Sequence, residues 1–196
     1  MPRRVFMIHG WSGCPDEGWM KWLRKELEKK GFEVYSLAMP NTDEPRINEW
    51  VGFLKEKVGE PDKNTYFVGH SVGCQTVLRY LEKLPENIKV GGALFIAGWF
   101  NLKPVAAEDS EDAEIAKPWL ETPIDCKKIL THTKKFTAIF SDNDPYVPIE
   151  DAEIFKEKLG AKTIIQHNKG HFCNEDGIIE LPAALDELLK ITELIQ

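Results

Sequence analysis

A serine with a glycine two residues to either side, an aspartate followed by proline, and a histidine preceded by glycine stand in that order along this chain of 196 residues. Ser71 lies in Gly69-His70-Ser71-Val72-Gly73, directly after the apolar run Tyr66-Phe67-Val68. A strand that runs through such a turn into a helix holds its serine in a strained backbone conformation, with the hydroxyl exposed for attack. The flanking glycines remove the Cβ atoms that would keep strand and helix apart. By chance the three fixed residues would occur at roughly the 5 % level in a chain of this length, so the surrounding sequence has to carry the reading.

A serine that attacks an acyl carbon needs a histidine to take its proton, a carboxylate to orient that histidine, and backbone N–H groups to hold the oxyanion. In α/β-hydrolases these arrive in the order serine, acid, histidine, each from a loop that follows a strand. Asp144 follows the apolar run Phe136 to Phe140, and His171 follows Thr163-Ile164-Ile165. Asp142 shares the turn with Asp144, but Pro145-Tyr146-Val147-Pro148 fixes the backbone just after Asp144, whereas Asp142 reads as a turn-forming aspartate. Of the other histidines, His167 is closer to its strand and His132 precedes a strand, so both read as exposed loop residues. His70, inside the elbow, reads as a packing residue that points away from the serine hydroxyl. The expected oxyanion donors are the main-chain N–H of Val72, at the start of the elbow helix, and that of Trp11, in the loop His9-Gly10-Trp11-Ser12-Gly13.

Three distant residues converge only if the strands bearing them lie parallel with their carboxyl ends on one edge. The apolar pattern supports this. Val5 to Ile8 reads as a buried strand. Trp19, Trp22, Leu23 and Leu27 form one helical face closed by Gly31, and Phe32 to Ala38 is a second strand. A helix on Ile47, Trp50, Phe53, Leu54 and Val58 leads to the elbow strand at about Thr65. Val77, Leu78, Leu81 and Leu84 mark the elbow helix, and Val90 to Ala97 a central strand. A helix on Ala152, Phe155 and Leu159 and another opening at Pro182 complete the alternation. The expected fold is α/β: a single domain over 1–196 with a mostly parallel sheet of about six strands and helices on both faces. Residues 99–128 break the rhythm with Pro104, Pro118 and Pro123 and an acidic run (Glu108, Asp109, Glu111, Asp112, Glu114), and are expected to be an irregular, lid-like stretch. Trp99 and Trp119, with Tyr146 beside the acid, are the candidate substrate-pocket residues. Core packing is an equal reading for Trp99, Phe100 and Trp119.

The formal charge of −7 argues against a general affinity for nucleic acid or anionic membranes, and 42 % hydrophobic with 29 % charged residues is an ordinary globular balance. The apolar run near the start ends at Ile8, too short for a signal peptide or a membrane span. Cys14, Cys74, Cys126 and Cys173 are scattered without a Cys-x-x-Cys pair, so reduced thiols in the cytoplasm are expected, and no metal site. No phosphate-binding glycine loop follows a strand, so no nucleotide cofactor is expected either.

Phe6-Met7-Ile8-His9-Gly10-Trp11, Gly69-His70-Ser71-Val72-Gly73-Cys74, Ser141-Asp142-Asn143-Asp144-Pro145-Tyr146-Val147-Pro148 and Gly170-His171-Phe172 together resemble the small serine hydrolases of the retinoblastoma-binding protein 9 and YdeN type. The resemblance implies a trimmed α/β-hydrolase without a large cap, with Ser71, Asp144 and His171 as the catalytic triad. It also implies esterase-like or aminopeptidase-like activity. The expected function is hydrolysis of a small ester through an acyl-enzyme. The alternatives are an aminopeptidase or amidase using the same three residues, and an interaction protein that keeps the fold with little activity. The vertebrate relative binds retinoblastoma protein through Leu-x-Cys-x-Glu. Here the nearest match, His171-Phe172-Cys173-Asn174-Glu175, has histidine in place of the leucine, so that partnership is not expected.

Overall fold

A computed structural model describes residues 2–104 and 111–193. Strands and helices alternate along it: β1 (Arg4–Ile8), α1 (Gly18–Lys29), β2 (Glu33–Leu37), α2 (Ile47–Val58), β3 (Thr65–His70), α3 (Val72–Glu82) and β4 (Gly92–Ile96). They continue with α4 (Glu111–Glu121), α5 (Cys126–His132), β5 (Phe136–Ser141), α6 (Asp151–Leu159), β6 (Lys162–Gln166) and α7 (Pro182–Ile191). The six strands form one sheet in the order β2-β1-β3-β4-β5-β6, and every pairing is parallel. This is the parallel sheet that the alternation predicts, and it fits the α/β-hydrolase fold that the resemblance implies.

The four inner strands are covered on both faces, so they carry apolar residues at consecutive positions. Side-chain direction alternates along each strand and divides the core in two. On one face Phe6, Ile8, Phe67 and Phe95 pack with Trp50 and Leu54 of α2, Val77 and Leu81 of α3, and Phe155 of α6. On the other, Val5, Met7, Val68, Leu94 and Ile96 pack with Trp19, Leu23 and Leu27 of α1 and Leu188 of α7. The outer strands β2 and β6 are only half covered.

The stretch 99–128 is not irregular throughout: it contains α4 and the start of α5. Pro118 lies inside α4 although an internal proline costs about 3 kcal/mol, and tertiary burial outweighs it. Ala116 and Trp119, one turn apart, are buried, and the Trp119 indole donates to the Pro45 carbonyl at 2.8 Å. At the carboxyl end of α4 the buried Arg79 guanidinium donates to the carbonyls of Trp119 and Thr122, both at 2.8 Å, neutralising the negative end of the helix. Asp112 and Glu114 fall on α4, whereas Glu108 and Asp109 lie outside the described residues.

The tightest approach in the fold is between α3 and the end of β1. A Cβ on Gly73 would stand 2.3 Å from the carbonyl oxygen of Ile8 and 2.7 Å from that of His9. One on Gly69 would meet the Cys74 backbone nitrogen at 2.7 Å. Both neighbours are main chain and cannot rotate aside. Gly73→Ala is therefore expected to lower stability by at least about 2 kcal/mol, read as a drop in the urea midpoint; an unchanged midpoint would contradict the close packing described.

Candidate active site

Ser71 joins β3 to α3 at φ 52°, ψ −121°, a region that costs a non-glycine residue about 1–3 kcal/mol. The conformation is held from both sides: the Ser71 N–H donates to Ile96 of β4 at 3.0 Å, and the Ser71 carbonyl accepts from the Cys74 N–H at 2.9 Å. Cys74 itself is sealed in the core, and burial pushes its thiol pKa far up, which leaves it unreactive.

His171 and Asp144 reach the same sheet edge from the loops after β6 and β5. His171 Nδ1 stands 2.8 Å from Asp144 Oδ2, and both residues are buried. The other Asp144 oxygen accepts from the N–H groups of Tyr146 (2.8 Å) and Val147 (3.0 Å), so the carboxylate is aimed by the turn that follows it. With Nδ1 facing a carboxylate, Nε2 of His171 is the nitrogen left to exchange a proton with a substrate or a hydroxyl.

The two loops are laced together by four successive residues. The Ser141 hydroxyl accepts from the Lys169 N–H (2.9 Å), and Asp142 accepts from the Asn168 N–H (2.9 Å) and faces His167 Nδ1 (2.5 Å). Asn143 Oδ1 accepts from the Gly170 N–H (2.8 Å), and Asp144 holds His171. Asp142 is thus more than a turn former: the Asn168 N–H first and His167 second lower its pKa, and it ties the acid loop to the histidine loop. His167 is exposed, as expected, but paired. His132 is not an exposed loop residue: it ends α5, is buried, and its Nδ1 lies 2.8 Å from the Ile88 carbonyl.

Two further histidines pack under the site. His9 is buried with Nδ1 against the Gly10 carbonyl (2.7 Å), and its Nε2 accepts from the Met39 N–H (3.1 Å); burial lowers its pKa. His70 donates from Nε2 to the His171 carbonyl at 2.8 Å and meets the Trp19 ring edge-on. Burial, with His171 nearby, lowers its pKa to about 3. The packing role read for His70 in the sequence therefore includes a bond to the His171 backbone.

A cavity of about 400 Å³ opens over Ser71 and His171. Trp11, Trp99 and Tyr146 line it, and the Tyr146 ring stands edge-on to His171 at 5.1 Å. Trp119 does not. It is buried against Trp50 and Arg79, where α4 docks on the core. The sequence reading missed Trp19, Met20 and Leu102, which also line the cavity. Val72 is the first residue of α3, where an N–H has no acceptor within its own helix. The Trp11 loop lies against the elbow: a Cβ on Gly10 would stand 3.4 Å from Ser71 Cβ. The Trp11 indole donates to the Asp43 carbonyl and the Ser12 N–H to the Thr42 carbonyl, pinning the loop. The wall after β4 is pinned by buried Asp151, which accepts from the N–H groups of Phe100 and Asn101, and by Lys103, whose Nζ reaches the Asp144 carbonyl. Glu17, Asp112 and Glu175 bring carboxylates to the cavity, and among the described residues no lysine or arginine lines it. Among the described residues no cluster of three or more His, Cys, Asp or Glu is placed to hold a metal ion, and no helix is long and apolar enough to cross a membrane.

The chain is similar to known proteins over nearly its whole length. The family model for serine hydrolases matches residues 5–190. YdeN of Bacillus subtilis (strain 168) is 29 % identical over 188 residues, covering 96 % of this chain and 95 % of YdeN. Its crystal structure superposes with a TM-score of 0.89 at 28 % identity, covering 97 % of this chain and 99 % of that one. Serine hydrolase RBBP9 of Rattus norvegicus is 24 % identical over 178 residues, with 89 % of this chain and 90 % of the relative covered. Est1E from Butyrivibrio proteoclasticus, with ferulic acid bound, shares the fold alone: 15 % identity and a TM-score of 0.72 over 98 % of this chain and 90 % of Est1E.

The buried His70 makes stability depend on pH with a definite sign. Its pKa is lowered in the fold to about 3 from 6.5, so between those values the unfolded chain takes up a proton that the folded protein refuses. Its contribution is present above about pH 6.5 and is lost as pH falls toward 3, by up to about 1.4 kcal/mol per pH unit. His70→Gln is expected to flatten this dependence. Urea midpoints measured from pH 7.5 down to 4.5 should fall less in the variant than in the wild type, and equal slopes would contradict the assignment.

Proposed function

The chain belongs to the serine hydrolase family, and on that footing we propose that it cleaves a small ester through an acyl-enzyme formed on Ser71. The observation that carries this reading is the elbow conformation of Ser71 at a cavity it shares with a buried histidine, whose Nδ1 is 2.8 Å from the buried Asp144 behind it. Ser71 Oγ attacks the carbonyl carbon while His171 Nε2 takes its proton, and the Asp144 carboxylate stabilises the imidazolium that forms. The tetrahedral oxyanion lies against the N–H groups of Val72 and Trp11. The same imidazolium then protonates the departing alcohol, and water repeats the sequence to release the acid. The reaction so written uses no cofactor and no metal. The cytoplasm suits it, since the four cysteines are free.

A cavity of about 400 Å³ with Trp11, Trp99, Trp19 and Met20 around it suits a small acyl or aryl group rather than a polymer. One feature favours the second reading, an aminopeptidase or amidase: the carboxylates of Glu17, Asp112 and Glu175 meet no lysine or arginine among the described residues of the lining, so an ammonium group is better received than a carboxylate. The third reading, an interaction protein with little activity, predicts a serine that is not activated.

Ser71→Ala is expected to lower turnover of a short p-nitrophenyl ester by several orders of magnitude, up to about 10⁶-fold, and to abolish labelling by a fluorophosphonate probe. Wild-type turnover in the variant would defeat the mechanism. Failure of folded wild-type protein to label would favour the interaction protein. In a panel of neutral esters, aminoacyl esters and aminoacyl amides, neutral esters should turn over fastest, and faster amide cleavage would make the peptidase reading the right one.

A further inference from the structure

His171 is tied to the protein at three separate groups, and only one of the three ties belongs to the reaction as proposed. Its ring is held by Asp144, its carbonyl accepts from His70 at the end of β3, and its N–H donates to Asp176 Oδ2 at 2.8 Å. The same Asp176 oxygen accepts from the Cys173 N–H at 3.0 Å. The other Asp176 oxygen lies against Gly170, where a Cβ would stand only 1.9 Å from it, and Gly170 is at φ +54°. A side chain at position 170 would thus displace the carboxylate from the His171 N–H.

The segment that carries Asp176 is itself anchored. The Asp176 and Ile178 N–H groups return to the Cys173 carbonyl, and the Ile178 carbonyl accepts from the Trp19 N–H at the start of α1. The Trp19 indole donates to the Phe172 carbonyl at 2.9 Å, and Ile178 is buried. Asp176 therefore connects the His171 backbone to α1 and the second core layer, whereas Asp144 connects its ring to the β5 loop.

We propose that Asp176 is a positioning residue for His171. By accepting from the N–H groups of residues 171 and 173 it sets the backbone turn from which the imidazole projects between Asp144 and Ser71. The proposal rests on the reading of His171 as the general base. Two N–H groups converging on one side-chain oxygen fix a turn whose next residue, Phe172, is itself held at φ 58°. A displacement of the base by about 1 Å is enough to cost a rate on the order of 100-fold, so a backbone tie can appear in turnover without any contact with substrate.

The test compares Asp176→Ala with Asp176→Asn, whose side-chain oxygen can accept from the same two N–H groups. In folded protein, Asp176→Ala should lower kcat by about 10- to 100-fold with KM changed less than about twofold. The rate of fluorophosphonate labelling of Ser71 should fall in parallel. The downfield proton resonance of the His171 Nδ1–H facing Asp144 should broaden or shift. Asp176→Asn should recover most of all three. Should Asp176→Ala not fold, Asp176→Glu keeps the charge but moves the oxygens by one methylene, and should show the loss instead. Wild-type kcat in the displaced variants, a change confined to KM, or an Asn variant as impaired as the Ala variant would each overturn the proposal. Ser71→Ala measured alongside separates the two readings. If it is inactive while Asp176→Ala is unimpaired, only the positioning role fails; if it is active, the hydrolase reading fails, and the His171 resonance still reports whether Asp176 holds that residue.

Discussion

The close approach of α3 to the carbonyl end of β1 is the constraint on which the rest of this structure depends. The helix can start where it does only because residues 69 and 73 lack side chains, and its start forces Ser71 into a conformation that no isolated chain would hold. Opposing that strain are the β4 carbonyl that receives the Ser71 N–H, the buried strands on either side, and helices packed on both faces of the sheet. A sheet this well covered can tolerate a locally unfavourable residue, which places Ser71 at a rigid edge rather than on a mobile loop. In the proposed reaction, pre-organisation of that kind spares the serine hydroxyl a costly alignment when substrate arrives.

Much of this was legible in the sequence because it rests on short-range patterns. Strand and helix periodicity, the two elbow glycines, and the placement of Asp144 and His171 after successive strands predict the parallel sheet and bring the two loops to one edge. The helix α4 was not legible. Pro118 and the acidic run argue locally against it, and what overrides them is long-range: a tryptophan buried against Trp50 and a guanidinium from α3 at its carboxyl end. For the same reason Trp119 could not be assigned to core or pocket until the docking of α4 was known. The roles of Asn143, Asp142, His70 and Asp176 were hidden for another reason. Each acts through a main-chain atom of the His171 loop, and a main-chain partner leaves no mark on residue type.

On the proposed reading, the site divides into a part that does the chemistry and a part that recognises the substrate. Ser71, Asp144 and His171 are fixed by backbone bonds inside the sheet edge, so their geometry depends little on what occupies the cavity. The walls come from other places: the loop after β1, the start of α1, the segment after β4 and the turn after His171. Those walls set the size and charge of what can enter. The family model spans residues 5–190, and so both parts; in the second, Glu17, Asp112 and Glu175 bring carboxylates to the cavity.

The outer strand β6 delivers His171, and β6 is among the least covered strands of the sheet. Ser71 sits instead at the end of β3, deep between β1 and β4. Regions with fewer buried contacts open at lower free energy than the core they flank. The lacing of residues 141–144 to residues 167–171 therefore joins the loop that follows a half-covered outer strand to the fully buried β5. The margin that delivers His171 is thus stiffened from inside the sheet, by side chains of the β5 loop, rather than by a cover of its own.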